Sequence, residues 1–135
     1  MVTYVLDSSA LLRYLHNQAG ADRVSEIIKE YLAGKCEVMV SAAHWGEVAG
    51  ITCKLYGHPE MKQVFSRLDG FGFRVVAVDA DRAVRSALIK LKNGIPYVDS
   101  FAVELAAGID HILVTADFDF KPASRDVSIE FLPAK

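Results

Sequence analysis

Four acids stand where a carboxylate could do chemistry. Asp7 closes the apolar run VTYVL, Glu47 lies in SAAHWGEV, Asp99 in PYVDSFAVEL and Asp117 in ILVTADFDF, with Asp119 two residues further on. Carboxylates brought together repel one another and resist joint ionisation unless a positive charge joins them. A hard divalent cation supplies that charge, and Mg²⁺ prefers oxygen ligands and keeps several waters. An all-carboxylate Mg²⁺ or Mn²⁺ site suits phosphoryl chemistry, because the ion acidifies a water, orients it in line and neutralises the leaving oxygen. His16, His44, His58 and His111 are scattered, and no two share a helical spacing, so they read as ordinary surface or partly buried residues. Cys36 and Cys53 form no CxxC, and zinc is not indicated.

Each acid alone has a plainer explanation. Asp7, Asp99 and Asp117 could cap helices or turns. Glu47 is harder to dismiss. Val48 and Ile51 predict that its helix surface is buried, where an unpaired carboxylate is costly. The set is more specific than any member.

The elements that must position these acids follow from periodicity. Val2–Leu6, Glu37–Val40, Phe73–Val78, His111–Val114 and Val127–Phe131 read as short buried strands. Helices are predicted after a cap at Ser8 or Ser9, over Ala21–Leu32, from a cap at Ser41 to about Tyr56, from Pro59 to about Leu68, after Asp79 and over Asp99–Ala107. The helix after Asp79 has an apolar set at Val84, Ala87, Leu88 and Leu91. DGFG and NGIP read as breaks. This alternation predicts an α/β domain, three layers α/β/α around a mostly parallel five-stranded sheet. In such sheets ligands bind beyond the carboxyl ends of the strands. Three of the acids follow a strand or open a helix, and Glu47 is near a helix start, so all four can converge on that edge.

The chain of 135 residues reads as one domain, 1–135. Its net charge of −2 excludes a broad basic face, so contact with nucleic acid must be local. No signal peptide and no bilayer-spanning run is evident, and two lone thiols suit a reducing compartment, so a cytoplasmic location is expected.

VLDSSALL, WGEV, YVDSFAVELA and LVTADFDF, in this order and spacing, resemble the PIN-domain ribonucleases, and most closely the small single-domain VapC toxins of VapBC toxin–antitoxin pairs. The resemblance spans Asp7 to Phe120. It implies a Mg²⁺- or Mn²⁺-dependent endoribonuclease with Asp7, Glu47, Asp99 and Asp117 as catalytic and metal-holding acids. Asp119 matches a less constant metal acid. Ser8 and Thr115 match hydroxyls that orient carboxylates or waters. Gly46 departs from the pattern, since Asn often precedes the motif's Glu. The resemblance also implies a homodimer and a cognate antitoxin docked on the helical pair of GITCKLYGHPEMKQVFSRLDG, where Leu55, Tyr56, Met61 and Phe65 are apolar candidates either for docking or, equally, for core packing.

The chemistry expected is in-line attack of water on an RNA phosphodiester, leaving 5′-phosphate and 3′-hydroxyl ends. RNA needs positive charge near the acids, for which Arg13, Lys54, Arg85, Lys90 and Lys92 are candidates. Trp45 and Tyr97 could stack on a base, with core packing the alternative for Trp45. A response-regulator receiver would need a phosphoacceptor Asp after the third strand and a Lys after the fifth. A haloacid-dehalogenase-like phosphatase would need an acid where Ser9 stands. Neither pattern fits. The other reading is a catalytically silent RNA- or protein-binding module, against which the four mutually repelling acids argue.

Overall fold

A computed structural model describes residues 1–135. Five strands, β1 (Thr3–Leu6), β2 (Glu37–Ser41), β3 (Arg74–Val76), β4 (His111–Thr115) and β5 (Ile129–Phe131), form one sheet in the order β3-β2-β1-β4-β5. Every pairing is parallel; Tyr4 faces Val38 on one side and Ile112 on the other. Six α-helices, α1 (Ser8–Leu15), α2 (Ala21–Leu32), α3 (Ala42–Tyr56), α4 (His58–Phe71), α5 (Ala80–Asn93) and α6 (Tyr97–Ala106), and a 3-10 helix (Phe118–Arg125) cover it. The expected three-layer α/β/α architecture is the one observed.

Strand alternation makes two cores. Tyr4, Leu6, Val38, Val40 and Val114 pack with Leu11, Ile27, Val48 and Leu68 of α1 to α4. Val5, Met39, Val76 and Leu113 point the other way, onto Ala102, Val103 and Ala106 of α6 and Phe120 of the 3-10 helix. Both faces are covered, which is why these strands read as continuous apolar runs.

The order of the sheet decides where a site can form. The chain builds β1, β2 and β3 outward in one direction, then returns to place β4 on the other flank of β1. The switch in direction therefore lies between β1 and β4, and their carboxyl ends flank a crevice. Asp7 directly follows β1, and Asp117 lies two residues beyond β4.

Local chemistry explains the boundaries. Asp7, Ser41 and Asp79 each accept a hydrogen bond from a first-turn amide and cap α1, α3 and α5. Gly20, at φ 91°, must lack a side chain for a second reason: a Cβ there would lie 2.9 Å from Leu132 Cβ.

One expectation is corrected, and one helix face that the sequence left without a partner is placed. DGFG is not a turn throughout: α4 continues through Phe71, which packs against Tyr14 and Phe73, and stops only at left-handed Gly72. The apolar set on α5 does not face the core. Val84, Leu88 and Leu91 are 62%, 62% and 77% exposed, whereas Ser86 and Asn93 are buried. The reason is that α5 docks on α6 through charge, with Arg82 and Arg85 both paired to Glu104.

Candidate functional site

The site is built outward from Asp7, the capping residue of α1 at the end of the central strand. Asp7 is only 2% exposed. Its Oδ1 accepts from the Ala10 amide at 2.9 Å, and the Ser9 hydroxyl reaches both its oxygens at 2.8 and 2.9 Å. The Thr115 hydroxyl, at the end of β4, donates to Oδ2 at 2.6 Å. Burial pushes the Asp7 carboxyl above the ordinary carboxylate range; the bonds from Thr115, Ala10 and Ser9, and the field of His44, pull it back down.

Thr115 also joins Asp7 to the next acid. Its Oγ1 accepts from the Asp117 amide at 3.0 Å, while Ser9 Oγ accepts from the Ala116 amide at 2.9 Å. Two hydroxyls thus lace the carboxyl ends of β1 and β4 together. Asp117 is a cap as well, accepting from the Asp119 amide at 2.9 Å. Asp119 itself is exposed. An open cleft of about 560 Å³ adjoins this side and is lined by Ser9, Arg13, Asp117, Phe118 and Asp119 among others.

Glu47 and Asp99 belong to the same edge. His44 and Glu47 lie one turn apart on α3 and share a face. His44 Nε2 lies 3.7 Å from Glu47 Oε1 and 3.8 Å from Asp99 Oδ1, so one imidazole spans the gap between the two carboxylates. The Ser8 hydroxyl donates to Glu47 Oε1 at 3.0 Å. Asp99 sits in the first turn of α6 but does not cap it; Pro96 holds that position. The expected burial of Glu47 is corrected: its side chain is 42% exposed, because the α3 face after it turns outward with Ile51 and Leu55. Ser8 therefore serves Glu47, and Ser9 is the hydroxyl beside Asp7.

None of Asp7, Glu47, Asp99 and Asp117 is paired with a lysine or arginine. Their donors are hard oxygens, the only basic side chain within 4 Å of any of them is His44, and that oxygen set suits a divalent metal. No three His, Cys, Asp or Glu side chains already stand in a metal-holding arrangement, so binding requires the side chains to close on the ion.

The remaining candidates are placed as follows. Arg13 donates to the backbone carbonyls of Ala19, Pro133 and Ala134 and ties α1 to the end of the chain. Arg85 is engaged by Glu104 and Lys92 by Asp126, whereas Lys54 is in no salt bridge. Trp45 packs edge-on against Phe65, and the Tyr97 hydroxyl donates to Ala83 O. Tyr97 stays 40% exposed two residues from Asp99, and Phe118, 48% exposed and stacked on Phe131 at 5.2 Å, stands next to Asp117. Sequence reasoning missed Ser9, His44 and Phe118. His44 had a signal: its three-residue spacing from Glu47. Phe118 had none beyond its place next to Asp117.

A family model described as PIN domain matches residues 4–125. No curated protein matches the chain. Among solved structures, VapBC2 from Rickettsia felis bound to a promoter DNA fragment superposes with a TM-score of 0.73 at 17% identity, covering 98% of this chain and 100% of that one. FitAcB from Neisseria gonorrhoeae gives 0.69 at 19% identity, with 93% and 95% covered. Mycobacterium tuberculosis VapC20, a sarcin-ricin loop cleaving toxin, gives 0.66 at 18% identity, with 96% and 99% covered.

Proposed function

The chain belongs to the PIN-domain family, and from that premise we propose that it is a Mg²⁺- or Mn²⁺-dependent endoribonuclease, the toxin of a toxin–antitoxin pair. Two pairs of separately encoded acids support the reading: Asp7 and Asp117, joined through Thr115 at the carboxyl ends of β1 and β4, and Glu47 and Asp99, on either side of His44. Asp7, Asp99 and Asp117 would hold the metal, with Glu47 completing the site and Asp119 as an outer acid. When bound, the ion acidifies a water and neutralises charge on the phosphate.

The chain's own residues do the rest. Ser9 and Thr115 fix the Asp7 carboxylate so that its orientation costs nothing at the moment of reaction. Glu47, half-exposed and held by Ser8, orients the attacking water and takes its proton at a carboxylate oxygen. The ribose 3′ oxygen leaves, giving 5′-phosphate and 3′-hydroxyl ends. Because water is the nucleophile, the 2′-hydroxyl takes no part. RNA lies along the cleft beside Asp117, where Phe118 offers a face for one base. Lys54 and Lys90, the cations named from sequence that make no salt bridge, support phosphate contact; Arg13 and Arg85 would first have to leave their partners.

The toxin role, the antitoxin and a homodimer rest on family likeness and on exposed apolar surface. Ile51, Leu55 and Tyr56 on α3 offer an antitoxin segment a groove, and Val84, Leu88 and Leu91 on α5 offer a second copy a face. One observation favours a silent binding module instead: no three ligands are gathered in advance. Incubating the purified chain with total RNA and Mn²⁺, with and without chelator, separates the two. Chelator-sensitive cutting that vanishes in a folded Asp99→Asn variant supports the nuclease; RNA binding without cutting supports the module.

A further inference from the structure

His44 is the least explained residue at the site. Its ring is fully buried, yet neither Nδ1 nor Nε2 has a hydrogen-bond partner. A neutral imidazole carries one donor and one acceptor, and leaving either unmet in the interior costs about 1–3 kcal/mol. Such an orphan calls for a catalytic role, an ion or a water. Nothing apolar about the surroundings favours His here, because Nε2 points between the Glu47 and Asp99 carboxylates.

The distances suit shared coordination. Two donors each about 2.0–2.2 Å from one ion stand roughly 3 Å apart at a right angle and about 4.3 Å apart when opposed. Taken one pair at a time, the 3.7 Å and 3.8 Å separations of Nε2 from the two carboxylates fall within that span, although the three side chains do not stand in a metal-holding arrangement before the ion binds. An imidazole and a carboxylate three residues apart on one helix can also both reach a metal. We propose that His44 is a nitrogen donor to the metal held by these acids, and that it biases the site toward imidazole-binding first-row ions such as Mn²⁺ and Co²⁺ over Mg²⁺. The inference rests on the reading of the acids as a metal site. Its physical basis is ligand preference: Mg²⁺ discriminates against nitrogen, whereas affinity for nitrogen rises along the first-row series.

The test is electron paramagnetic resonance of the full chain with Mn²⁺ alone, read for hyperfine coupling to a directly bonded ¹⁴N, together with calorimetric titration by Mn²⁺ and by Mg²⁺. Directly bonded nitrogen in the wild type is the expected result, and this part needs no variant. In a folded His44→Asn protein the coupling disappears, and Mn²⁺ affinity falls about tenfold or more while Mg²⁺ affinity changes much less. Mn²⁺ bound at the acids without nitrogen coupling overturns the role of His44 and leaves the carboxylate site standing. Equal losses for both ions in the variant overturn the claimed selectivity. Absence of any Mn²⁺ binding overturns the metal-site reading itself, and His44 with it.

Discussion

A carboxyl group buried as deeply as Asp7 is held there by its neighbours, and this gives the apo-protein a pH signature. The folded-state pKa of Asp7 is raised above the ordinary 3.8. The native state therefore binds more protons than the unfolded state from about 3.8 up to the raised value, and stability falls as pH climbs through that interval. Metal-free melting curves of wild type and Asp7→Asn should agree below pH 3.8 and separate above it, with the variant the more stable. Curves that stay together across the interval contradict the assignment. The exposed face of Phe118 leads to a second expectation. Base stacking is worth about 1–3 kcal/mol, so Phe118→Ala should raise KM for RNA roughly tenfold with little change in folding; an unchanged KM removes Phe118 from the cleft. At this scale the sequence was partly legible. The acids announced themselves by following strands, but which hydroxyl served which acid did not, since Ser8 and Ser9 are adjacent and only the start of α1 sends one to Glu47 and the other to Asp7. The plainer explanation held for two of the acids, since Asp7 and Asp117 are caps, and a cap keeps oxygen lone pairs for a metal as well.

Elements were legible where burial set the pattern and obscure where it did not. Strands covered on both faces gave unbroken apolar runs, so β1, β2 and β4 were read within a residue of their ends. The apolar set of α5 was visible, but periodicity reports a coherent face without saying what lies against it. That face should tolerate charge. Leu91→Lys should alter the stability of the monomer by no more than about 0.5 kcal/mol, whereas Leu105→Ala, deep in the second core, should cost about 2–5 kcal/mol. Denaturant titration checks both, and a large loss for Leu91→Lys would mean α5 is packed differently. Gly46 lies inside α3, and a Cβ added there meets nothing within 4 Å. Gly46→Ala should therefore raise stability by about 0.5–1 kcal/mol. A lowered denaturation midpoint would show that the space beside Gly46 is already in use.

At the level of the whole molecule, the proposed RNA substrate would have to be held by a few local contacts. With a net charge of −2 there is no basic face to draw substrate in. The strand order sets a crevice between β1 and β4, at whose carboxyl ends Asp7 and Asp117 stand joined through Thr115. That convergence was predictable in kind from strand order, whereas the imidazole bridging α3 and α6 depends on how those helices pack and was not. The most direct measurement is anomalous diffraction from crystals soaked in Mn²⁺. The account predicts a peak within bonding distance of carboxylate oxygens from Asp7, Asp99 and Asp117. Soaked crystals with full occupancy elsewhere, or with no peak at this edge, would contradict it.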